Sequence, residues 1–235
     1  LYRAPMAGAG KRFADAGYVF PKPLIEIDNK PMIQWVIESL NFNANYIFII
    51  QKEHQEKYNI KSVLKILQPN CKIIELDHVT EGAACTTLLA KEFINNSDPL
   101  IIANSDQYIN WNSSKALYDF NSKNLDGAIL TFEAIHPKWS YAKCNDDGFV
   151  TEVAEKKVIS KNATVGVYYW KHGSDYVQSA ENMIKKNIRV NNEFYVCPVY
   201  NEFLLKNKKV KIHNVEKMWG LGTPEDLNNF LRTIK

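Results

Sequence analysis

The amino-acid sequence predicts an α/β fold in which helices flank a mixed, mostly parallel sheet. Short apolar runs alternate along the chain with stretches of helical periodicity, and this alternation is typical of βαβ units. The 235 residues, 46% of them hydrophobic, supply enough apolar surface for a buried core. No repeat, linker or low-complexity tract divides the chain, so we expect a single domain over residues 1–235.

Apolar runs bounded by polar or turn-forming residues predict the strands of this sheet. The predicted strands are 46–50, 72–76, 100–103, 128–133, 149–154, 165–170 and 210–215. The segment NDDGF at 145–149 predicts a hairpin turn, with Gly148 at the position that needs a positive φ. The start LYRAP lies so close to the glycines that follow it that little room remains for a first strand, which leaves a trimmed or altered start open.

Two amphipathic helices are visible in the spacing of apolar residues. Residues 33–40 carry them at i, i+3, i+4 and i+7 behind Pro31, a favourable residue for a first helical turn. The same spacing recurs over 227–234, where Thr223 can cap the helix and Pro224 fits its first turn. We therefore expect a helix near each end of the chain.

Composition and charge exclude several classes of protein. The net charge is only +3 and basic residues are interspersed with acidic ones, so no basic stripe indicates a nucleic-acid partner. No apolar run approaches the roughly 18 residues of a membrane helix, and no signal peptide opens the chain. The four cysteines are widely spaced, which disfavours a zinc site or a disulfide framework and predicts a cytoplasmic protein.

The segment MAGAGKRF at 6–13 places glycines beside two cations, and two known phosphate motifs can be tested against it. The P-loop pattern fails because Arg12 stands where Ser or Thr would hold magnesium. The dinucleotide pattern fails because Phe13 occupies its third glycine position. What remains is a tight G-x-G turn followed by Lys11 and Arg12.

Such a turn can point several backbone N–H groups into one concavity and cradle a phosphate. The residues expected to do so are Ala7, Gly8, Ala9, Gly10 and Lys11. Arg12 offers a planar fork for a pyrophosphate, and Lys22, between two prolines, offers a point charge for a second phosphate. The alternative is an ordinary surface turn with solvated charges.

Asp106 comes just after the apolar run at 100–103, where the carboxyl end of a strand meets the ligand-binding edge of an open α/β sheet. A carboxylate there can hold Mg²⁺, which prefers oxygen ligands and keeps waters and substrate phosphates. A turn or helix-capping aspartate is the alternative. The local sequence SDQ is not the D-x-D of many glycosyltransferases, which disfavours a sugar-transfer function.

Several motifs in order resemble the nucleotidyltransferases that make sugar nucleotides, together with related cytidylyltransferases that activate phosphocholine-type and other phosphate monoesters. These motifs are MAGAGKRF…FPKPL, EGAACT at 81–86, NSDQ at 104–107, VTEVAEK at 150–156, ATVGVYYW at 163–170 and WGLGTPEDL at 219–227. The resemblance implies a Rossmann-like fold, an NTP substrate, Mg²⁺ as cofactor with Asp106 as its ligand, and release of pyrophosphate.

The resemblance also implies which residues contact the substrates. Gly82 and Ala83, with Glu81 just before them, match a G-x-A segment that contacts the base in relatives, and tight helix packing against the sheet is the alternative, weighed for Ala84. Glu155 is expected to meet polar groups of the acceptor and Lys156 its phosphate, whereas an exposed ion pair is the alternative. The remaining candidates are Ser105 on the nucleotide side and Tyr141, Glu193 and Tyr195 on the acceptor side, where the aromatic side chains could instead belong to the core.

One departure from the family concerns the second metal ligand. Relatives commonly carry an aspartate before the G-T-P of the last motif, and Gly220 occupies that position in this chain. Three explanations remain open: Asp106 holds the metal with phosphates and water, another acid such as Glu216 or Glu193 joins it, or catalysis is weakened.

The resemblance to this family implies an enzyme that transfers NMP from an NTP, with CTP favoured, to a phosphate monoester. The acceptor would be a sugar 1-phosphate or a small alcohol or amino-acid phosphate, and the product would serve capsule or surface-glycan synthesis. A nucleotide-binding paralogue without turnover and a glycosyltransferase are the alternatives. The expected partners are the two substrates, without nucleic acid or membrane, and the sequence leaves the oligomeric state open, with a homodimer as one option.

Overall fold

The computed structural model describes residues 2–5 and 11–234, and within them a nine-stranded sheet forms the centre of the molecule. The strands of this sheet are β1 (Tyr2–Pro5), β4 (Tyr46–Gln51), β5 (Lys72–Leu76), β6 (Leu100–Ala103), β8 (Gly127–Glu133), β9 (Ser140–Cys144), β10 (Val150–Glu155), β11 (Asn162–Trp170) and β12 (Val210–Asn214). They follow the order β10-β9-β11-β6-β1-β4-β5, and β8 pairs with β11 and β12 beside this path.

The sheet is mixed, as the sequence predicted. Strands β5, β4, β1 and β6 run parallel to one another, and β12 runs parallel to β8. Strand β11 is antiparallel to β6, β8 and β9, and β9 is antiparallel to β10. Two small sheets lie beside it, one of β2 (Glu26–Ile27) with β3 (Lys30–Pro31) and one of β7 (Gln107–Asn110) with β13 (Lys217–Gly220).

Helices cover both faces of the sheet. Successive residues of a strand point to opposite faces, so a central strand contributes side chains to two separate buried clusters. In β6, Ile101 and Ala103 join one buried cluster with residues of the helices at 32–40, 113–122 and 224–234. Leu100 and Ile102 join another cluster with residues of the helices at 91–94, 173–185 and 199–204. The helices are α1 (Lys11–Asp15), α2 (Met32–Leu40), α3 (Lys52–Tyr58), α4 (Ile60–Leu67), α5 (Ala83–Leu88), α6 (Lys91–Ile94), α7 (Ser113–Ser122), α8 (Gly173–Lys185), α9 (Val199–Leu204) and α10 (Pro224–Ile234), with a 3₁₀ helix at Lys22–Leu24.

The predicted strands are confirmed to within three residues at each end, but the expectation of little room for a first strand was wrong. Tyr2–Pro5 forms β1 near the middle of the sheet, with parallel partners on both sides. A strand of four residues is enough at this position, because its backbone groups can hydrogen-bond to β4 on one side and to β6 on the other.

The two predicted helices and the hairpin turn are also confirmed. Pro31 is the N-cap of α2 rather than a first-turn residue, with the extended backbone that precedes a helix. At α10 the Thr223 hydroxyl accepts a bond from the Asp226 N–H at 3.1 Å. Gly148 has φ +75° in the turn between β9 and β10. Within the described ranges, no helix is long and apolar enough to cross a membrane.

Candidate active site

The candidate site lies at the edge of the sheet where parallel strands β1 and β6 end side by side. Asp106 follows β6, and its Oδ2 accepts a 2.9 Å ion-pair hydrogen bond from Lys22 Nζ, 84 positions earlier in the chain. The Asp106 and Lys22 side chains are 28% and 24% exposed, so water and a ligand can reach this pair. The structure therefore brings together the predicted metal ligand and one predicted phosphate-binding lysine.

The backbone around Lys22 is fixed by its neighbours in the sequence. Pro21 precedes the 3₁₀ helix with φ −61°, and Pro23 is buried within it. The Leu24 N–H donates to the Pro21 carbonyl at 2.8 Å. Because proline restricts φ, this short turn presents the lysine from a rigid base.

Glycine at 222 gives the Asp106 carboxylate its space. A Cβ atom at Gly222 would lie 3.0 Å from Asp106 Oδ2, which is tighter than almost all real Cβ contacts. The next residue back, Leu221, donates its N–H to the Asp106 carbonyl at 2.7 Å. The C-terminal motif WGLGTPEDL is thus packed directly against the metal-ligand candidate.

Gly220 has no side chain that could bind a metal, and Glu216 has a different partner. The Glu216 carboxylate accepts a bond from Asn110 Nδ2 at 2.9 Å. Among the described residues, no group of three or more His, Cys, Asp or Glu side chains could hold a metal. Asp106 alone still fits Mg²⁺, because this ion is usually bound through one or two carboxylates with waters and substrate phosphates completing its shell.

On the predicted base side, the segment at 81–84 is held by backbone contacts to Phe194. Gly82 has φ +132° and ψ 173°, and α5 begins at the next residue. The Phe194 N–H donates to the Glu81 carbonyl at 2.8 Å, and the Ala84 N–H donates to the Phe194 carbonyl at 2.9 Å. Close backbone approach is therefore real at this segment, although the neighbour that the structure shows is protein backbone.

On the predicted acceptor side, Lys156, Glu155 and Tyr195 lie together at the end of β10. Lys156 Nζ donates to the Tyr195 hydroxyl at 2.6 Å, and Lys156 itself has φ +54°, which is uncommon for a non-glycine residue. Burial lowers the pKa of the Lys156 ammonium, but the bond to Tyr195 and the charges of Glu155 and Glu193 outweigh it and raise that pKa.

Glu155 lies in a cluster of polar side chains with Ser140, Tyr168 and Cys197. Its carboxylate accepts a hydrogen bond from the Ser140 hydroxyl, whose residue pairs with Glu155 across the β9–β10 ladder. Burial raises the pKa of Glu155 despite that bond, and burial also raises the pKa of Tyr168 and of the Cys197 thiol nearby. Sequence reasoning missed Ser140, Tyr168 and Cys197; the hairpin register was the signal that could have found Ser140.

The remaining candidates lie in the core, on the surface, beside Asp106 or outside the described part of the chain. Tyr141 has no exposed surface and donates its hydroxyl to the His136 carbonyl at 2.7 Å, so its contacts are those of a core residue. Arg12 is exposed on α1, and Ser105 is buried beside Asp106. Residues 7–10 of the glycine loop lie outside the described residues, and the backbone of Lys11 begins α1.

Gln107 is a further polar residue that sequence reasoning missed. It is 5% exposed, and its Nε2 has no hydrogen-bond partner among the described residues. A Cβ at Gly166, which has φ +74°, would lie 2.3 Å from Asn104 Nδ2 and 2.9 Å from Gln107 Oε1. The glycine in ATVGVYYW therefore leaves space for two polar side chains that flank Ser105 and Asp106.

Comparison with known proteins assigns the chain to a family. The sequence profile of the nucleotidyl transferase family matches residues 6–232, so the chain belongs to that family. It is 27% identical over 237 residues to the bifunctional protein GlmU of Thermosipho melanesiensis, covering 97% of this chain and 49% of that protein. It is also 25% identical over 184 residues to the mannose-1-phosphate guanyltransferase of Aspergillus oryzae, covering 69% of this chain and 47% of that one. The chain thus spans about half the length of these relatives.

Solved structures confirm the Rossmann-like fold. The nucleoside-diphosphate-sugar pyrophosphorylase from Vibrio cholerae RC9 superposes with a TM-score of 0.85 at 24% identity, covering 99% of this chain and 100% of that one. The inositol-1-phosphate CTP transferase from T. maritima superposes with a TM-score of 0.78 at 16% identity, covering 99% and 93%.

Proposed function

We propose that this chain transfers the nucleoside monophosphate of an NTP to a phosphate-monoester acceptor and releases pyrophosphate. The observation that carries the proposal is the Lys22–Asp106 pair at the ligand-binding edge of the sheet, in a chain of the nucleotidyl transferase family. A lysine and a single carboxylate at this edge suit a polyphosphate that arrives with its own divalent cation.

In the proposed reaction, an oxygen of the acceptor phosphate attacks the α-phosphorus of the NTP. The bond from the α-phosphorus to the oxygen that bridges it to the β-phosphorus breaks, and that oxygen leaves with pyrophosphate. The acceptor oxygen is already anionic, so no protein group has to remove a proton. Catalysis then consists mainly of positioning the reactants and neutralising their charges.

We assign the roles of the residues from the sequence motifs together with the contacts described above. The glycine loop and Arg12 would hold the leaving pyrophosphate, and Lys22 would neutralise charge at the α-phosphate. Asp106 would hold Mg²⁺, which, when bound, offsets the charge of the phosphates. Lys156, 2.6 Å from the Tyr195 hydroxyl, would bind the acceptor phosphate.

The acceptor side combines one ammonium with two carboxylates, Glu155 and Glu193, whose charges both act on Lys156. Carboxylates accept hydrogen bonds, so we propose an acceptor whose far end carries donors, either the hydroxyls of a sugar 1-phosphate or the groups of a small alcohol or amino-acid phosphate. The preference for CTP and a role in capsule or surface-glycan synthesis belong to the same proposal and rest on the sequence motifs.

A pyrophosphate-release screen tests the proposal. It crosses CTP, UTP, dTTP, GTP and ATP with sugar 1-phosphates and small phosphate monoesters, with Mg²⁺ and then with EDTA. We expect one pair to release pyrophosphate, with CTP as the best nucleotide, and EDTA to abolish the signal. Silence across the panel with retained NTP binding would favour a nucleotide-binding paralogue, and nucleotide-sugar consumption without pyrophosphate would favour a glycosyltransferase.

Replacement of Glu155 by glutamine should weaken acceptor binding and change the pH dependence of stability. Glutamine keeps the shape and can still accept the Ser140 bond, but it offers no charge to the acceptor, so we expect the acceptor KM to rise roughly tenfold or more. Burial raises the pKa of Glu155 in the folded state above its unfolded value of about 4.3. Between these two pKa values the folded protein binds more protons than the unfolded chain, so the free energy of unfolding of the wild type should fall as the pH rises from about 4.3 through the folded-state pKa.

Urea unfolding at several pH values and acceptor KM measurements check this. In Glu155→Gln the fall in stability between the ordinary carboxyl pKa and neutral pH should be smaller than in the wild type. Glu152→Gln, on an exposed position of the same strand, is the matched control and should change neither quantity. An unchanged acceptor KM in Glu155→Gln would remove this residue from the acceptor site.

A further inference from the structure

One short segment connects the two halves of the candidate site. Residues 187–195, called the Arg189 loop, follow α8 and contact both the base side and the acceptor side. Phe194 exchanges two backbone hydrogen bonds with the segment at 81–84, at 2.8 and 2.9 Å. The next residue, Tyr195, accepts the 2.6 Å bond from Lys156. Adjacent residues thus contact the base segment and the acceptor lysine.

The Arg189 loop has a defined shape. Val190 and Glu193 exchange backbone hydrogen bonds at 3.0 and 2.9 Å, which closes a turn with Asn191 and Asn192 at its centre. Both asparagines have positive φ, +47° and +64°, as a type I′ hairpin turn requires. Asn187, with φ +54°, ends the preceding helix in the same left-handed conformation.

Arg189 holds this loop against the base segment with its whole guanidinium. Nε donates to Asn187 Oδ1 at 2.6 Å, Nη1 donates to the Asn192 carbonyl at 3.1 Å, and Nη2 pairs with the Glu81 carboxylate. The guanidinium carbon lies 3.9 Å from the centre of the Phe194 ring. The planar guanidinium of arginine offers hydrogen-bond donors on three sides and a flat face that stacks on a ring. The ammonium group of lysine cannot make this set of contacts.

We propose that Arg189 is a positioning residue that couples the base side to the acceptor side, so that ordering of one side also orders the other. A nucleotide that binds against 81–84 then also orders Phe194 and Tyr195, and through Tyr195 it places Lys156 for the acceptor phosphate. This inference rests on the proposed function. Binding of either substrate should favour binding of the other by the same factor, because such coupling is reciprocal.

Hydrogen exchange measured by mass spectrometry tests the coupling without any turnover. CTP with Mg²⁺ is added to the intact chain, and protection is followed in peptides that cover 79–88 and 189–196. In the wild type we expect both regions to gain protection. In Arg189→Ala we expect 79–88 alone to gain it, and Arg189→Lys should resemble the alanine variant. Arg232→Ala, on the last turn of α10, is the control and should behave as the wild type.

The outcomes separate this inference from the function on which it rests. Protection confined to 79–88 in the wild type, or equal protection of 189–196 in wild type and Arg189→Ala, would overturn the coupling and leave the nucleotide site in place. No protection at 79–88 in the wild type with CTP, nor with any of the other four NTPs of the screen, would instead overturn the proposed nucleotide site and the coupling with it.

Initial-rate kinetics with the active substrate pair give a second readout. In the wild type the acceptor should lower the apparent dissociation constant of the nucleotide by roughly tenfold, and in Arg189→Ala this factor should approach one. The KM values of both substrates should rise in that variant while kcat changes far less, because Arg189 touches neither reacting phosphate. A loss confined to kcat, with both KM values unchanged, would contradict a positioning role.

Discussion

Replacement of Lys22 by alanine is expected to lower kcat about 10²–10³-fold, the usual cost of removing one positioned charge from a reacting centre. Lys22 lies 2.9 Å from Asp106 at the edge of the sheet, on a turn that two prolines hold rigid. No other basic side chain among the described residues forms an ion pair with Asp106. The variant should therefore lose charge neutralisation at the α-phosphate and should retain its fold.

Matched variants separate a catalytic effect from a general loss of charge. Lys30 forms a 2.8 Å pair with Glu38 on the surface, and Lys30→Ala should leave kcat within about twofold of the wild type. Lys22→Arg keeps the charge with a different shape and should recover part of the activity. Pyrophosphate release under saturating substrates gives kcat, and near-normal turnover of Lys22→Ala would remove Lys22 from the mechanism.

The central strands could be predicted because burial leaves a local trace in the sequence. All four residues of β6 and the first five of β4 are buried, which produces the continuous apolar runs that strands covered on both faces show. Strands β7 and β13 have no such trace. They are short, partly exposed and paired with each other across more than a hundred positions, so tertiary contact rather than local pattern creates them.

The candidate site divides in the same way. Lys22 and Asp106 could each be predicted from local sequence, since Lys22 lies between two prolines and Asp106 follows a strand. Their contact joins residues 84 positions apart, so only the three-dimensional structure shows it. Arg189 had no signal at all, because one arginine in a polar loop resembles any solvated side chain. Its importance follows from the acceptors around it, which come from its own loop and from Glu81, 108 positions away.

Replacement of Gly82 by alanine is expected to destabilise the fold by about 3–5 kcal/mol, through backbone strain and overpacking together. The backbone of Gly82, with φ +132° and ψ 173°, lies in a region that is essentially restricted to glycine. A Cβ atom would lie 2.5 Å from both the backbone N and O of Phe194. Backbone atoms cannot rotate out of the way as the end of a long side chain can, so the clash persists.

Gly148→Ala is the matched control, because it separates backbone strain from the clash. Gly148 also has a positive φ, +75°, but an added Cβ would meet only the end of Lys211 at 3.9 Å. Strain alone should cost roughly 1–2 kcal/mol there and lower Tm by a few degrees, whereas Gly82→Ala should lower Tm on the order of 10 °C.

Thermal unfolding and nucleotide affinity distinguish the two contributions. Because the clash pushes Phe194 away from the base segment, Gly82→Ala should also weaken CTP binding, and Gly148→Ala should leave it unchanged. Equal losses of Tm in the two variants would mean that the contact with Phe194 contributes nothing beyond the glycine conformation. A large loss of Tm with unchanged CTP affinity would instead show that Gly82 stabilises the fold without forming part of the nucleotide site.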